Sequence, residues 1–185
     1  MSKSNYSPYR DPKALVLLSL LSALSILFGK YLAIPGGDVL RFSFENLPIL
    51  LAGLHLGPIA GILVGVIADL LGCFMVGYAI NPIITIGAAA IGFVSGIVSL
   101  LLPRALPRLL RLSISVAAAH LIGSVLVKTF GLAAYYDMPF IILMLWRLLN
   151  YTIIAALEIT LLYFIMKNPA IAKQLKRFAK SSPLL

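Results

Sequence analysis

Long apolar runs, cut at intervals by proline, glycine and charge, dominate this chain. The first covers 14–34 and stops at Pro35-Gly36-Gly37-Asp38. A second covers 40–56 and breaks at Gly57-Pro58, because a proline ring forbids a continuous straight helix. A third covers 59–77, and Asn81-Pro82 opens a fourth over 82–103. A fifth covers 112–133, and Asp137-Met138-Pro139 precedes a sixth over 140–166. Crossing the hydrocarbon layer takes about 20 apolar residues in a helix. The pattern therefore predicts an all-α integral membrane protein, a bundle of six transmembrane helices forming a single domain over 1–185.

Charge orients the bundle. Lys3, Arg10 and Lys13 precede the first run, Arg104, Arg108 and Arg111 follow the fourth, and Lys167, Lys173, Lys176, Arg177 and Lys180 follow the sixth. Six spans bring all three groups to one face, whereas five or seven would separate the terminal groups. An excess of Lys and Arg marks the cytoplasmic side. Both termini are therefore expected to be cytoplasmic, with 35–39, 78–81 and 134–139 as outward loops.

Composition strengthens the membrane reading. The chain of 185 residues is 61% hydrophobic and 11% charged, with mean hydropathy +1.04. A soluble domain of this size could not keep so much apolar surface from water. The net charge of +9 is then the cytoplasmic bias of a membrane protein and not a nucleic-acid surface. The lone Cys73 excludes an internal disulfide and a multi-cysteine metal site. The polar N-terminus has no small-residue cleavage signature, so the first run reads as a retained helix. Gly53, Gly57, Gly61 and Gly65 recur every fourth residue, and Ala88, Gly92 and Gly96 repeat that spacing. Such stripes let helix backbones approach closely.

Four cations do not fit the cytoplasmic groups: Lys30, Arg41, Lys128 and Arg147. Basic side chains at the outer face or in the interior are costly enough to imply a use, and holding an anionic ligand from outside is one. On the sixth span Trp146, Arg147, Asn150 and Tyr151 lie close to the outer end at helical spacing. An indole with a cation and an amide can clamp a flat polar ring; a lone Trp there also suits the aromatic belt. Glu158 falls about 20° from Arg147 around the helix and roughly 16 Å deeper. Lys128 can snorkel to the interface or meet a ligand. Arg41, Glu45 and Asn46 open the second span, as an ion pair with a helix-start amide or as ligand contacts. Asn81 can cap the fourth helix or mark helix N–H donors aimed at a ligand. Asp69, midway along the third span, needs a cation, a loop or a ligand as partner.

No catalytic residue, metal or cofactor is expected. His120 and Ser124 are four apart, but no third member and no strained glycine turn accompanies them in the sequence. The chain has no phosphate loop, no zinc spacing and no pair of acidic motifs, so active transport would draw its energy from another subunit. An integral-membrane enzyme acting on lipid or prenyl substrates is an alternative class that these absences disfavour.

The run Leu40-Arg41-Phe42-Ser43-Phe44-Glu45-Asn46-Leu47-Pro48-Ile49, followed by Ala52-Gly53, Gly57-Pro58, Gly61, Gly65 and Asp69, resembles the substrate-binding S components of energy-coupling factor (ECF) transporters. Gly77-Tyr78-Ala79-Ile80-Asn81-Pro82-Ile83-Ile84-Thr85 and the Trp146-Arg147-Asn150-Tyr151 cluster are most similar to the folate family. Sister families for riboflavin, thiamine and other vitamins share much of the first pattern. The resemblance implies a six-helix bundle in a bacterial cell membrane, with a vitamin site near the outer face under the loops after spans one and three. It implies a transmembrane T component and two cytoplasmic ATPase subunits as partners. Small residues on the first helix would dock onto the T component, here Ser19 and Ala23, with Leu27 where an aromatic is often found. Folate fits the outer cations: its glutamate tail carries two carboxylates and its pterin is flat.

Overall fold

The computed structural model describes residues 12–35, 41–103, 105–169, 171, 173 and 175. Seven α-helices build it: α1 (Pro12–Ile26), α2 (Asn46–Leu56), α3 (Pro58–Val76), α4 (Pro82–Leu101), α5 (Arg108–Ala119), α6 (Lys128–Tyr136) and α7 (Phe140–Lys167). Two π-helical segments continue them. Leu27–Tyr31 extends α1, and His120–Val127 joins α5 to α6. Among the described residues five helical stretches are long and apolar enough to cross a membrane: Pro12–Tyr31, Pro58–Val76, Pro82–Leu101, Arg108–Tyr135 and Phe140–Lys167.

The second apolar run departs from expectation. Its helix starts at Asn46, not near residue 40, and has only 11 residues, about 16 Å at 1.5 Å per residue. Upstream, β2 (Arg41–Phe42) pairs antiparallel with β1 (Ile34–Pro35), in register Ile34↔Phe42 and Pro35↔Arg41. A short apolar segment does not by itself distinguish strand from helix, and here a strand partner lies just upstream. Gly57 alone separates α2 from α3. Its φ of 106° is open to glycine and closed to other residues, and Pro58 starts α3 where a missing N–H does no harm.

The small-residue stripes face each other. A Cβ added at Gly61 would lie 2.6 Å from the Gly92 carbonyl oxygen, and one at Gly65 would lie 2.5 Å from that of Ala88. At Gly96 it would meet the Gly53 carbonyl oxygen at 2.8 Å. Backbone thus packs on backbone across α2, α3 and α4. Below this seam Leu50, Leu54, Val64, Ile91, Leu112, Val116 and Leu162 form one buried core shared with α5 and α7. Large apolar side chains such as Leu20, Ile67, Leu126 and Leu149 face outward, as lipid contact demands.

Candidate functional site

A cavity of 420 Å³ opens between the first π-segment, α3, α4, α6 and α7, lined by Lys30, Glu45, Asp69, Tyr78, Lys128, Arg147 and Tyr151, with Ser43, Cys73, Ile84, Leu132 and Met138 among its other walls. Three of the four out-of-place cations therefore converge on one space. The side chain of the fourth, Arg41, lies outside the described residues.

Local backbone irregularities deliver these cations. Lys30 sits in the first π-segment, where the Leu32 N–H bonds five residues back to the Leu27 carbonyl at 3.0 Å. Its Nζ lies 3.6 Å from Cys73 Sγ and 5.5 Å from the centre of the Tyr78 ring. Lys128 follows the second π-segment directly and donates to Glu45 Oε1 at 2.8 Å. The Glu45 backbone carbonyl in turn accepts from Ser25 Oγ at 2.6 Å. Glycines make the room: a Cβ at Gly72 would stand 2.8 Å from Lys30 Cε, one at Gly29 2.7 Å from Glu45 Oε2, and one at Gly87 2.5 Å from Lys128 Cγ.

On the opposite wall, Arg147 donates through Nη2 and Nε to the Ser124 carbonyl, at 2.8 and 3.3 Å. The π-register makes that carbonyl accessible. In an α-helix the Lys128 N–H would bond to Ser124, but here it reaches the Gly123 carbonyl. The Arg147 guanidinium also lies over the Tyr151 ring, 5.1 Å from its centre. Asp69 accepts from Thr85 Oγ1 at 2.6 Å. Three cations facing two carboxylates leave the wall with an excess positive charge, which favours an anionic guest.

Of the residues expected at a site, Glu45, Asp69, Lys128, Arg147 and Tyr151 line this cavity. Asn81 is the N-cap of α4: its Oδ1 accepts from the N–H groups of Ile83 and Ile84 at 3.0 and 3.4 Å, and its Nδ2 donates to the Gly131 carbonyl at 3.0 Å. Asn46 and Asn150 are buried and do not line the cavity. Trp146 is 56% exposed on the outside of α7, beside Leu145 and Leu149. It shares no surface with the cavity, because one residue along a helix turns a side chain about 100° away from Arg147. Its position is that of an aromatic-belt residue. The aromatic rings on the cavity wall are Tyr78 and Tyr151, and Tyr78 was not anticipated. Lys30 was marked by its unusual place on the charge map but had no predicted partner.

The His120–Ser124 pair has a third member after all. His120 Nδ1 lies 3.1 Å from Ser124 Oγ, and Nε2 lies 2.6 Å from Glu158 Oε2. Ser124 and Glu158 are 0% exposed and His120 is 3% exposed, and none of the three lines the cavity. A hydroxyl sealed in this way meets no substrate, so the arrangement is not a hydrolytic site.

A family model described as "ECF transporter, substrate-specific component" matches residues 13–169. The solved structure of FolT bound with folic acid superposes with a TM-score of 0.68, at 19% identity, over 84% of this chain and 93% of that one. The S component of a bacterial ECF transporter superposes with a TM-score of 0.60, at 22% identity, over 84% of this chain and 96% of that one. No curated protein matches in sequence. At such identities the structural likeness speaks for the fold alone. Because the family match runs across nearly the whole chain, this protein belongs to the substrate-specific components of ECF transporters, multi-pass membrane proteins that capture a substrate for partner subunits to import.

Proposed function

We propose that the chain is a folate-binding S component, working with a transmembrane T component and two cytoplasmic ATPases in a bacterial cell membrane. The observation that carries this reading is the meeting of Lys30, Lys128 and Arg147 with Tyr78 and Tyr151 in one cavity of 420 Å³, within the size range of small-molecule sites. Folate pairs a flat ring with a tail of two carboxylates. The tyrosines suit the ring and the cations suit the tail. Lys128 already holds Glu45, so a ligand carboxylate would share or replace that partner. The FolT structure with folic acid, similar in fold, points the same way.

In this reading Glu45 and Asp69 belong to the cavity wall, Asn46, Asn81 and Asn150 brace the site from behind it, and Trp146 faces lipid. The chain is one domain of six membrane-embedded helices, with α2 the short one and both termini cytoplasmic. Arg108 and Lys167 share a cleft, and Lys167 lies 20 residues beyond Arg147 on α7, roughly 30 Å away. That separation supports a cytoplasmic end opposite the ligand cavity. Ser19 and Ala23 lie exposed on α1 with Leu27, as a surface for the T component requires.

The absorbance spectrum of ligand carried through purification in detergent, followed by titration with folate, tests the reading. A pterin spectrum and saturable folate binding are expected. A flavin spectrum, or thiamine binding without folate binding, would reassign the vitamin and leave the family unchanged.

A further inference from the structure

Beneath the cavity lies a buried polar chain that touches no ligand space. Glu158 is 0% exposed in the middle of α7, and its Oε2 meets His120 Nε2 at 2.6 Å. Its other oxygen, Oε1, has no hydrogen-bond partner among the described residues. A carboxylate at this depth is unfavourable, and an apolar residue of similar size would pack there without that cost. Something must therefore keep it in use.

The geometry above it shows what depends on it. His120 and Ser124 stand four apart in the second π-segment, joined by their side chains at 3.1 Å. Ser124 offers its carbonyl to Arg147. The His120 ring stacks on Tyr151 with centres 5.3 Å apart and planes 29° apart, and Arg147 covers that same tyrosine. On α7, Arg147, Tyr151 and Glu158 share one inward stripe. His120 thus touches the carboxylate, the serine and the tyrosine together. Arg147 and Tyr151 reach the cavity, while His120, Ser124 and Glu158 do not.

We propose that Glu158 and His120 are positioning residues for ligand capture: together they fix the Ser124 carbonyl and the Tyr151 ring, and through them set the Arg147 guanidinium on the cavity wall. This rests on reading the cavity as the ligand site. Affinity gained this way comes from preorganisation, since an arginine already aimed loses little freedom when an anion arrives.

Two variants test it. Glu158→Gln keeps shape and replaces the carboxyl group that meets His120 Nε2 with an amide. The double change His120→Phe with Glu158→Leu keeps a ring against Tyr151 and replaces both polar partners together, which spares the fold an unpaired buried group. Folate affinity is measured for each, with Arg147 present and in an Arg147→Ala background. About a threefold to tenfold weakening is expected when Arg147 is present and none when it is absent, the non-additivity of residues acting as a unit. A second readout needs no ligand. In arginine-selective ¹⁵N NMR, the Arg147 Nε–H signal, assigned by its loss in Arg147→Lys, should exchange slowly in the parent and rapidly in both variants. Slow exchange retained in the variants, unchanged folate affinity, or equal weakening with and without Arg147 would overturn the proposal. If the parent does not bind folate, the ligand reading fails, and the Nε–H exchange decides the positioning claim alone.

Discussion

Two seams hold this bundle, and they are built from opposite materials. Between α3 and α4 the contact is backbone on backbone: Gly61, Gly65, Ala88 and Gly92 leave no space for a side chain. Between α7 and the second π-segment the contact is a run of buried polar groups, Arg147, Tyr151, Ser124, His120 and Glu158. The first seam depends on shape alone, so any added volume must displace a helix. The second depends on a few directed bonds, so substitutions there act on orientation. The cavity draws on both, with Asp69 from α3 on one wall and Arg147 and Tyr151 from α7 on another.

The comparison predicts effects of very different size. Gly92→Leu should be the most damaging, because a Cβ at position 92 already collides with the Gly61 backbone. Overpacking with no flexible neighbour to give way costs about 1–3 kcal/mol or more. Loss of monodisperse protein on size exclusion, or a sharp fall in melting temperature, checks this; an unchanged melt would mean the seam can open. Arg147→Ala should leave a folded protein with folate affinity weakened about tenfold to a hundredfold, the equivalent of losing a charge-assisted bond of about 1.5–3 kcal/mol. Gly87→Ala should act more gently. Its methyl would press on Lys128 Cγ and on the backbone at Gly123, moving the lysine and weakening binding by about threefold. Smallest for binding is Ser19→Trp, which should leave folate affinity unchanged and abolish uptake in cells carrying the partner subunits. Survival of uptake would remove α1 as the docking face.

Much of this fold can be read from the chain. Periodic glycine, proline breaks and apolar length locate the long helices and their small-residue stripes, because each depends on residues close in sequence; that Gly61 meets Gly92 does not follow from them. Residues 41–45 could not be placed this way, since Arg41-Phe42-Ser43-Phe44 has the apolar content of a helix start and of a strand alike. The charge map picked out Lys30, Lys128 and Arg147, yet their convergence needs three separate helices. Helical stripes place Trp146 and Asn150 near Arg147, but about 100° of turn sends Trp146 to the outside, and Asn150 is buried without lining the cavity. The His120–Glu158 bond spans 38 residues, and sequence spacing cannot pair groups so far apart. Neither π-segment was expected. Each inserts an extra residue into a turn, and that local shift frees the Ser124 carbonyl and precedes Lys128.

Orientation has its own check. In a Cys73-free background, a cysteine at Asp137 should react with an impermeant thiol reagent from outside and one at Leu106 should not; the reverse pattern would invert the bundle.

Cations from separate helices are expected to read a carboxylate tail inside one cavity. Calorimetric titration of folate and of pteroate, which lacks the glutamate, addresses it directly in the parent, Lys128→Ala and Arg108→Ala proteins. Lys128→Ala should weaken folate by about tenfold or more and pteroate far less, while Arg108→Ala changes neither. Equal weakening of both ligands by Lys128→Ala, or no folate binding to the parent, would contradict it.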